Sequence, residues 1–182
     1  STLTKYGFEI TVQKGKVKAF NGLTLNIYNI IGRINVSAEN RIMLCAHWDT
    51  RPFADRDTIK KNVPIDGAND GASGVGVLLE IARNISILDP ETGVDIFFFD
   101  AEDYGSPNHS QFPDINSSND TWCLGSQYWC RNPTFNNYKP RYGILLDMVG
   151  AEDARFPKEG ISRKYANQQL IKVWRTAQSL GF

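Results

Sequence analysis

Cysteine is scarce in this chain. Its 182 residues include three, Cys45, Cys123 and Cys130, and no CxxC pair. Cys45 sits inside an apolar run and reads as filler in a buried strand, while Cys123 and Cys130 stand i, i+7 apart, a poor geometry for a disulfide. Cysteine usage therefore leaves the compartment open. An excess of charge is lacking too: 20 basic residues face 20 acidic ones, so no net field favours nucleic acid or an anionic membrane. No apolar run is long enough to span a bilayer. The opening Ser1-Thr2-Leu3-Thr4-Lys5 has no signal-peptide pattern, and it lacks an initiator Met. There is no GxSxG elbow and no Cys-His pairing to mark a covalent nucleophile. Repeats, low-complexity tracts and dividing linkers are also missing. Sequons at Asn35, Asn84, Asn108, Asn116 and Asn119 carry little weight in an Asn-rich chain.

What the chain does have is three apolar runs that each end in acidic or imidazole side chains. Arg41 to Ala46 leads into His47-Trp48-Asp49, Val94 to Phe99 into Asp100-Ala101-Glu102-Asp103, and Tyr142 to Leu146 into Asp147. Runs this apolar suit strands covered on both faces, as in a parallel sheet. In open α/β sheets the binding crevice lies at the carboxyl ends of the strands. Six ionisable groups converging there would repel one another unless a positive charge sat among them, which points to a metal ion. Glu102-Asp103 is the sharpest pair, because adjacent carboxylates after three phenylalanines are costly to desolvate together.

Around these runs the pattern predicts strands first, then strand-helix alternation. Phe8 to Val12 and Leu23 to Ile31 read as strands, with Lys14-Gly15-Lys16 and Asn21-Gly22 as turn signals. Ile42 to Ala46 is the first central strand, followed by a long Asp-, Pro- and Gly-rich connection, Arg51 to Gly71, of the kind that is commonly functional. A helix begins near Ala72, with Val75, Leu78, Leu79, Ala82 and Ile85 on one face. Gly74 and Gly76 inside it each cost about 1 kcal/mol relative to Ala, and close packing on the sheet is the expected reason for both. A polar loop from Gly105 to Thr121 precedes a short helix over Leu124 to Arg131. The strand from Tyr142 to Asp147 precedes a helix presenting Leu170, Val173, Trp174, Ala177 and Leu180. The fold class expected is a single three-layer α/β/α domain over 1–182, its sheet mostly parallel and antiparallel at the N-terminal edge. The final Leu180-Gly181-Phe182 reads as a helix cap where a further strand should follow, so the chain reads as a truncated domain with its C-terminal part missing.

Rival motifs fail. Asp66-Gly67-Ala68-Asn69-Asp70-Gly71 has Ala68 at the third position of a would-be calcium loop and Val77 at the twelfth. Gly71-Ala72-Ser73-Gly74-Val75-Gly76 has the glycine order GxxGxG and follows a long loop, unlike a dinucleotide fingerprint. A first-row divalent ion held by carboxylates and imidazole fits the remainder. Zinc, manganese and magnesium all stay open on chemistry alone, with His47 weighting towards zinc.

HWDT at His47 to Thr50, GANDGASG at Gly67 to Gly74 and FFDAED at Phe98 to Asp103 resemble the motifs of the zinc aminopeptidase superfamily. Within it, LGSQYW at Leu124 to Trp129, and LLDMVGA at Leu145 to Ala151 followed by Arg155-Phe156-Pro157, resemble bacterial glutaminyl-peptide cyclotransferases. The resemblance runs from about Asn21 onward, in order. It implies Asp70 and Asp103 as zinc ligands, Glu102 as the general acid/base and Asp147 as a buried partner that positions the reacting groups. His47 matches a second-metal ligand of two-zinc peptidases, held by Asp49, whereas cyclases of this type keep such residues and work with one zinc. Asp103 stands where many relatives have Glu, one methylene longer. The family's last ligand, a C-terminal His, has no counterpart here, because His109 falls on the polar loop. The implied function is conversion of N-terminal glutamine to pyroglutamate on a peptide or protein N-terminus. A two-metal aminopeptidase and a non-catalytic binding domain are the alternatives, and the 182 residues alone are expected to be inactive. Trp48, Trp122 and Trp129 are candidates to line a substrate pocket, Trp122 foremost, with core packing the competing role for each. A periplasmic or extracellular bacterial location follows from the resemblance alone, and the oligomeric state is left open.

Overall fold

The computed structural model describes residues 1–88, 91–106 and 121–182. His109 and the sequons at Asn108, Asn116 and Asn119 lie outside them. The described chain forms two compact units, Ser1–Gly150 and Ala151–Phe182.

The first unit is built on one five-stranded sheet. In chain order its elements are α1 (Thr2–Lys5), β1 (Glu9–Lys18), β2 (Thr24–Ile34), β3 (Arg41–His47), α2 (Ala72–Leu88), β4 (Gly93–Phe99), α3 (Leu124–Arg131) and β5 (Gly143–Leu145). The strand order is β1-β2-β4-β3-β5. β3 runs parallel to both β4 and β5, whereas β2 is antiparallel to β1 and β4. The sheet is therefore mixed: parallel around β3 and antiparallel at the N-terminal edge.

Every residue of β4 is buried, which explains an apolar run broken only by Asp95: helices cover both faces of this central strand. Val94, Ile96 and Phe98 join Leu44, Ala46, Leu78 and Ala82 on the α2 side. Phe97 and Phe99 alternate to the other face, where Ile31, Cys45 and Trp129 pack. Asp95, fully buried in the same strand, takes Arg33 and Arg41 as ion partners (2.9 and 2.5 Å). Removing one partner of such a group would leave a buried charge unpaired.

Three expectations are corrected. Lys14-Gly15-Lys16 is not a turn, since β1 runs straight through it; a Cβ on Gly15 would lie 2.5 Å from the Tyr128 ring, so this glycine serves the close approach of α3. Among the described residues an added Cβ at Gly76 would meet nothing within 4 Å, so only Gly74, whose Cβ would meet the Leu146 carbonyl oxygen, packs as expected. The run from Tyr142 to Asp147 yields a strand of three residues, Gly143–Leu145, with Leu145 64% exposed. It pairs with β3 on one side only, as the edge of the described sheet.

The second unit holds α4 (Gly160–Tyr165) and α5 (Asn167–Ser179). Glu159 caps α4, its carboxylate accepting the Ile161 and Ser162 amides at 2.7 Å each. Trp174 Nε1 donates to the Phe156 carbonyl at 3.0 Å. Of the α5 apolar face, Leu170 is buried while Val173 and Leu180 are exposed.

Candidate metal centre

β3, β4 and β5 present their carboxyl ends together, and the side chains that follow them form the site. His47, the last residue of β3, is 4% exposed. Its Nε2 lies 3.1 Å from Asp70 Oδ1 and 3.4 Å from Asp147 Oδ1, and its Nδ1 lies 3.6 Å from Asp49 Oδ1. Among the described residues neither ring nitrogen has a partner in hydrogen-bond geometry, and neither does Asp103 Oδ2. Donor atoms of His47, Asp70 and Asp103 all fall within 4.8 Å of one another. Buried polar atoms normally find partners. Three unpartnered ones in a cluster of carboxylates and imidazole fit a divalent cation of the zinc type.

The electrostatics agree. Burial works against a charged imidazole, but the Asp147 and Asp49 carboxylates and the charge of Glu102 outweigh it and push His47 up to about 11. Burial, then the charges of Asp70 and Glu102, push Asp103 up to about 7, against the opposing pull of His47. Asp147 is held below the usual carboxylate range by its contact with His47, burial notwithstanding. One imidazolium does not balance this many carboxylates.

The turn after β4 is held from three sides. Asp100, one of the six strand-end groups, is used structurally: its Oδ2 accepts the Tyr28 amide at 2.7 Å and its Oδ1 the Ala101 amide at 2.8 Å. Ala101 takes a left-handed φ of +51°, which costs a non-glycine residue about 1–2 kcal/mol. Asp49 accepts the Glu102 amide at 3.0 Å and the Asp103 amide at 3.1 Å, one on each oxygen. At 3.6 Å from His47 Nδ1, Asp49 therefore acts chiefly on the backbone of the β4 turn. From α3, the amides of Cys123, Leu124 and Gly125 reach the carbonyl oxygens of Glu102, Ala101 and Asp100, each at 3.0 Å.

Other sequence candidates fall out differently. Asp147 is not buried: its side chain is 42% exposed because it follows the short edge strand β5. Trp129 belongs to the core, stacked edge-on against Phe97 at 4.9 Å. Trp48 is 42% exposed, its Nε1 bound to the Tyr28 carbonyl at 3.1 Å. Trp122 is half-buried, and its ring lies so close over Gly105 that a Cβ there would overlap it.

Two residues with a structural hold on the site escaped the sequence reading. Arg51 is buried, and its Nη1 donates to the Asp103 carbonyl at 2.8 Å, while Nε and Nη2 make a fork to Asp55 at 2.7 and 2.8 Å. Its guanidinium stacks between Phe53 and Trp122, 4.5 and 4.7 Å from the ring centroids. Its place directly after HWDT, with Asp55 four residues on, was the available signal. Asn29, fully buried in β2, accepts the Asp100 amide at 3.0 Å and donates to the Gly125 carbonyl at 2.9 Å. No periodicity distinguishes a buried polar residue of this kind.

Known proteins resemble this chain over nearly its whole length. The curated aminopeptidase YwaD of Bacillus subtilis is 31% identical over 188 residues, covering 97% of this chain and 34% of that protein. A solved zinc-dependent exopeptidase from Parabacteroides distasonis superposes with a TM-score of 0.92 at 45% identity, over 99% of this chain and 61% of that one. The glutaminyl cyclase of Tannerella forsythia superposes with a TM-score of 0.90 at 50% identity, again over 99% and 61%. The chain thus spans about a third of the curated relative and three-fifths of the solved structures. The model of peptidase family M28 matches residues 29–180, which shows that the chain belongs to that family.

Proposed function

We propose that this chain forms the larger part of a zinc-dependent glutaminyl-peptide cyclotransferase, which closes an N-terminal glutamine to pyroglutamate and releases ammonia. The observation that carries the reading is the 50% identity to a solved glutaminyl cyclase over 99% of the chain, site loops included. In this reading Asp70 and Asp103 hold one zinc, with a histidine outside these 182 residues as the third protein ligand. Bound there, zinc supplies Lewis-acid polarisation of the substrate's γ-carbonyl oxygen.

The chain's own residues do the rest. Glu102 stands beside the ligand Asp103 on the clamped β4 turn, without itself belonging to the His47, Asp70 and Asp103 cluster. It takes a proton from the substrate's α-amine as the amine nitrogen bonds to the side-chain carbonyl carbon. The same proton goes to the amide nitrogen as that C–N bond breaks, so ammonia leaves and no water is consumed. Asp147, its side chain 42% exposed beside His47, orients the amine. Trp122, stiffened by Arg51, forms a wall for the substrate's first residues.

One observation favours a second reading, a two-metal aminopeptidase. His47 Nε2 stands 3.1 and 3.4 Å from oxygens of Asp70 and Asp147, close to the separation of two donors across a tetrahedral ion with bonds of about 2.0–2.2 Å. In that case Glu102 activates a water for peptide hydrolysis. The deciding experiment gives the full-length protein a Gln-initiated peptide. Ammonia without peptide-bond cleavage supports the cyclase, a free amino acid supports the aminopeptidase, and neither product leaves a non-catalytic binding domain.

A further inference from the structure

The contact between Cys123 and Glu102 belongs neither to the metal-ligating cluster nor to the sheet core. Cys123 immediately precedes α3 and adopts a left-handed φ of +55°. Backbone conformation alone would favour Gly or Asn there. Its amide and the next two, Leu124 and Gly125, donate in succession to the carbonyl oxygens of Glu102, Ala101 and Asp100. The first turn of α3 thus uses donors that have no partner within the helix to grip the turn that carries Glu102. Gly125 allows this approach, since a Cβ there would overlap the Asp100 carbonyl. The Cys123 Sγ lies 3.1 Å from Glu102 Oε1, donating to it.

We infer that Cys123 is a positioning residue for the proton transfer: its thiol donates to Oε1, fixes the Glu102 carboxylate, and leaves Oε2 to exchange protons with the substrate. This rests on the assignment of Glu102 as proton carrier, which the cyclase and aminopeptidase readings share. A thiol suits the task because it is a weak, uncharged donor. It orients the carboxylate without the pull that a guanidinium or ammonium would exert on its proton.

The test uses the zinc-loaded full-length protein with Cys123→Ala and Cys123→Ser, each alone and combined with Glu102→Gln. Turnover is read on whichever substrate the wild type consumes, a Gln-initiated peptide or an aminoacyl anilide. Cys123→Ala should lower kcat about tenfold, as loss of a hydrogen bond to a charged group does, with KM, zinc content and melting temperature unchanged. Cys123→Ser, which keeps a donor, should recover most of that loss. In the Glu102→Gln background Cys123→Ala should change nothing further, because the carboxylate it positions is gone. A crystal structure of Cys123→Ala should show the Glu102 carboxylate turned away from its wild-type orientation. Turnover of Cys123→Ala within about twofold of wild type, a serine variant as slow as the alanine one, or an unmoved Glu102 would each overturn the inference. Failure of the cyclase reading shows separately, as amino acid in place of ammonia from the wild type. Should the wild type release neither, the orientation of Glu102 in the alanine variant decides.

Discussion

In both catalytic readings Glu102 moves the proton without holding the ion, and that division of labour sets what its replacement does. Glu102→Gln in the full-length protein should keep its zinc while kcat falls about 10²- to 10⁴-fold, the usual worth of a general acid/base. Metal analysis beside steady-state kinetics checks this, and near-wild-type turnover would remove Glu102 from the mechanism. His47 separates one ion from two. If a single zinc rests on Asp70 and Asp103, His47→Ala should retain close to one zinc per chain and substantial activity. Loss of all zinc together with activity would favour the two-metal site, in which His47 and Asp70 share an ion. The Arg51–Asp55 pair carries a pH signature. The Arg51 fork holds Asp55 below the usual carboxylate range, against a smaller opposing effect of burial. A depressed carboxylate stabilises the fold above its unfolded pKa and loses that contribution as pH falls through the folded one. Asp55→Asn should therefore destabilise near neutral pH, with the gap to wild type closing below about pH 4. Urea titrations at several pH values check it, and a constant gap would show that the ion pair contributes nothing. The acidic and imidazole residues of the site were legible because apolar strands ending in ionisable groups are conspicuous. Asn29 and Cys123 were not, since their roles rest on hydrogen bonds to groups far along the chain, and Arg51 offered only its spacing to Asp55, which says nothing of its bond to the Asp103 carbonyl.

At the scale of elements, α2 offers a paired test of why glycine sits in a helix. A methyl at Gly74 would lie 2.5 Å from the Leu146 carbonyl oxygen and 3.0 Å from Ala46 Cβ, whereas at Gly76 it would meet nothing. Gly74→Ala should therefore cost about 1–3 kcal/mol through overpacking, while Gly76→Ala should stabilise by up to about 1 kcal/mol through helix propensity. Chemical denaturation of both variants decides, and equal effects would show that the helix is not seated on β3 and the Leu146 segment as described. The same reasoning accounts for β1. Lys14-Gly15-Lys16 resembles a turn in sequence, but Gly15 clears space for Tyr128, and the strand continues to Lys18. The periodicity of α2 and the apolar run of β4 were readable because each element buries a regular face. β5 was not, because an apolar run does not reveal whether a second strand lies beyond it.

For the whole molecule, metal affinity tests how the site is assembled. If zinc rests on Asp70, Asp103 and a histidine beyond Phe182, the 182-residue chain should bind zinc far more weakly than the longer protein, since zinc sites normally need at least three protein ligands. Calorimetric titration of both checks this. A tight stoichiometric site in the 182-residue chain would show that His47, 3.1 Å from Asp70, completes the ligand set. By itself the sequence determined the α/β alternation, the strand-end placement of His47, Glu102, Asp103 and Asp147, the place of Asp70 just ahead of α2, and the family motifs. All of these rest on local patterns: side-chain periodicity, turn chemistry and contiguous residues. Tertiary structure alone decided that Asp49 clamps the backbone of the β4 turn, that α3 grips the same turn through Cys123 to Gly125, and that Asp147 stands at an exposed edge. The bonds among them join residues up to 54 positions apart, and only the order in which strands pair and helices cover them brings such groups within hydrogen-bond reach.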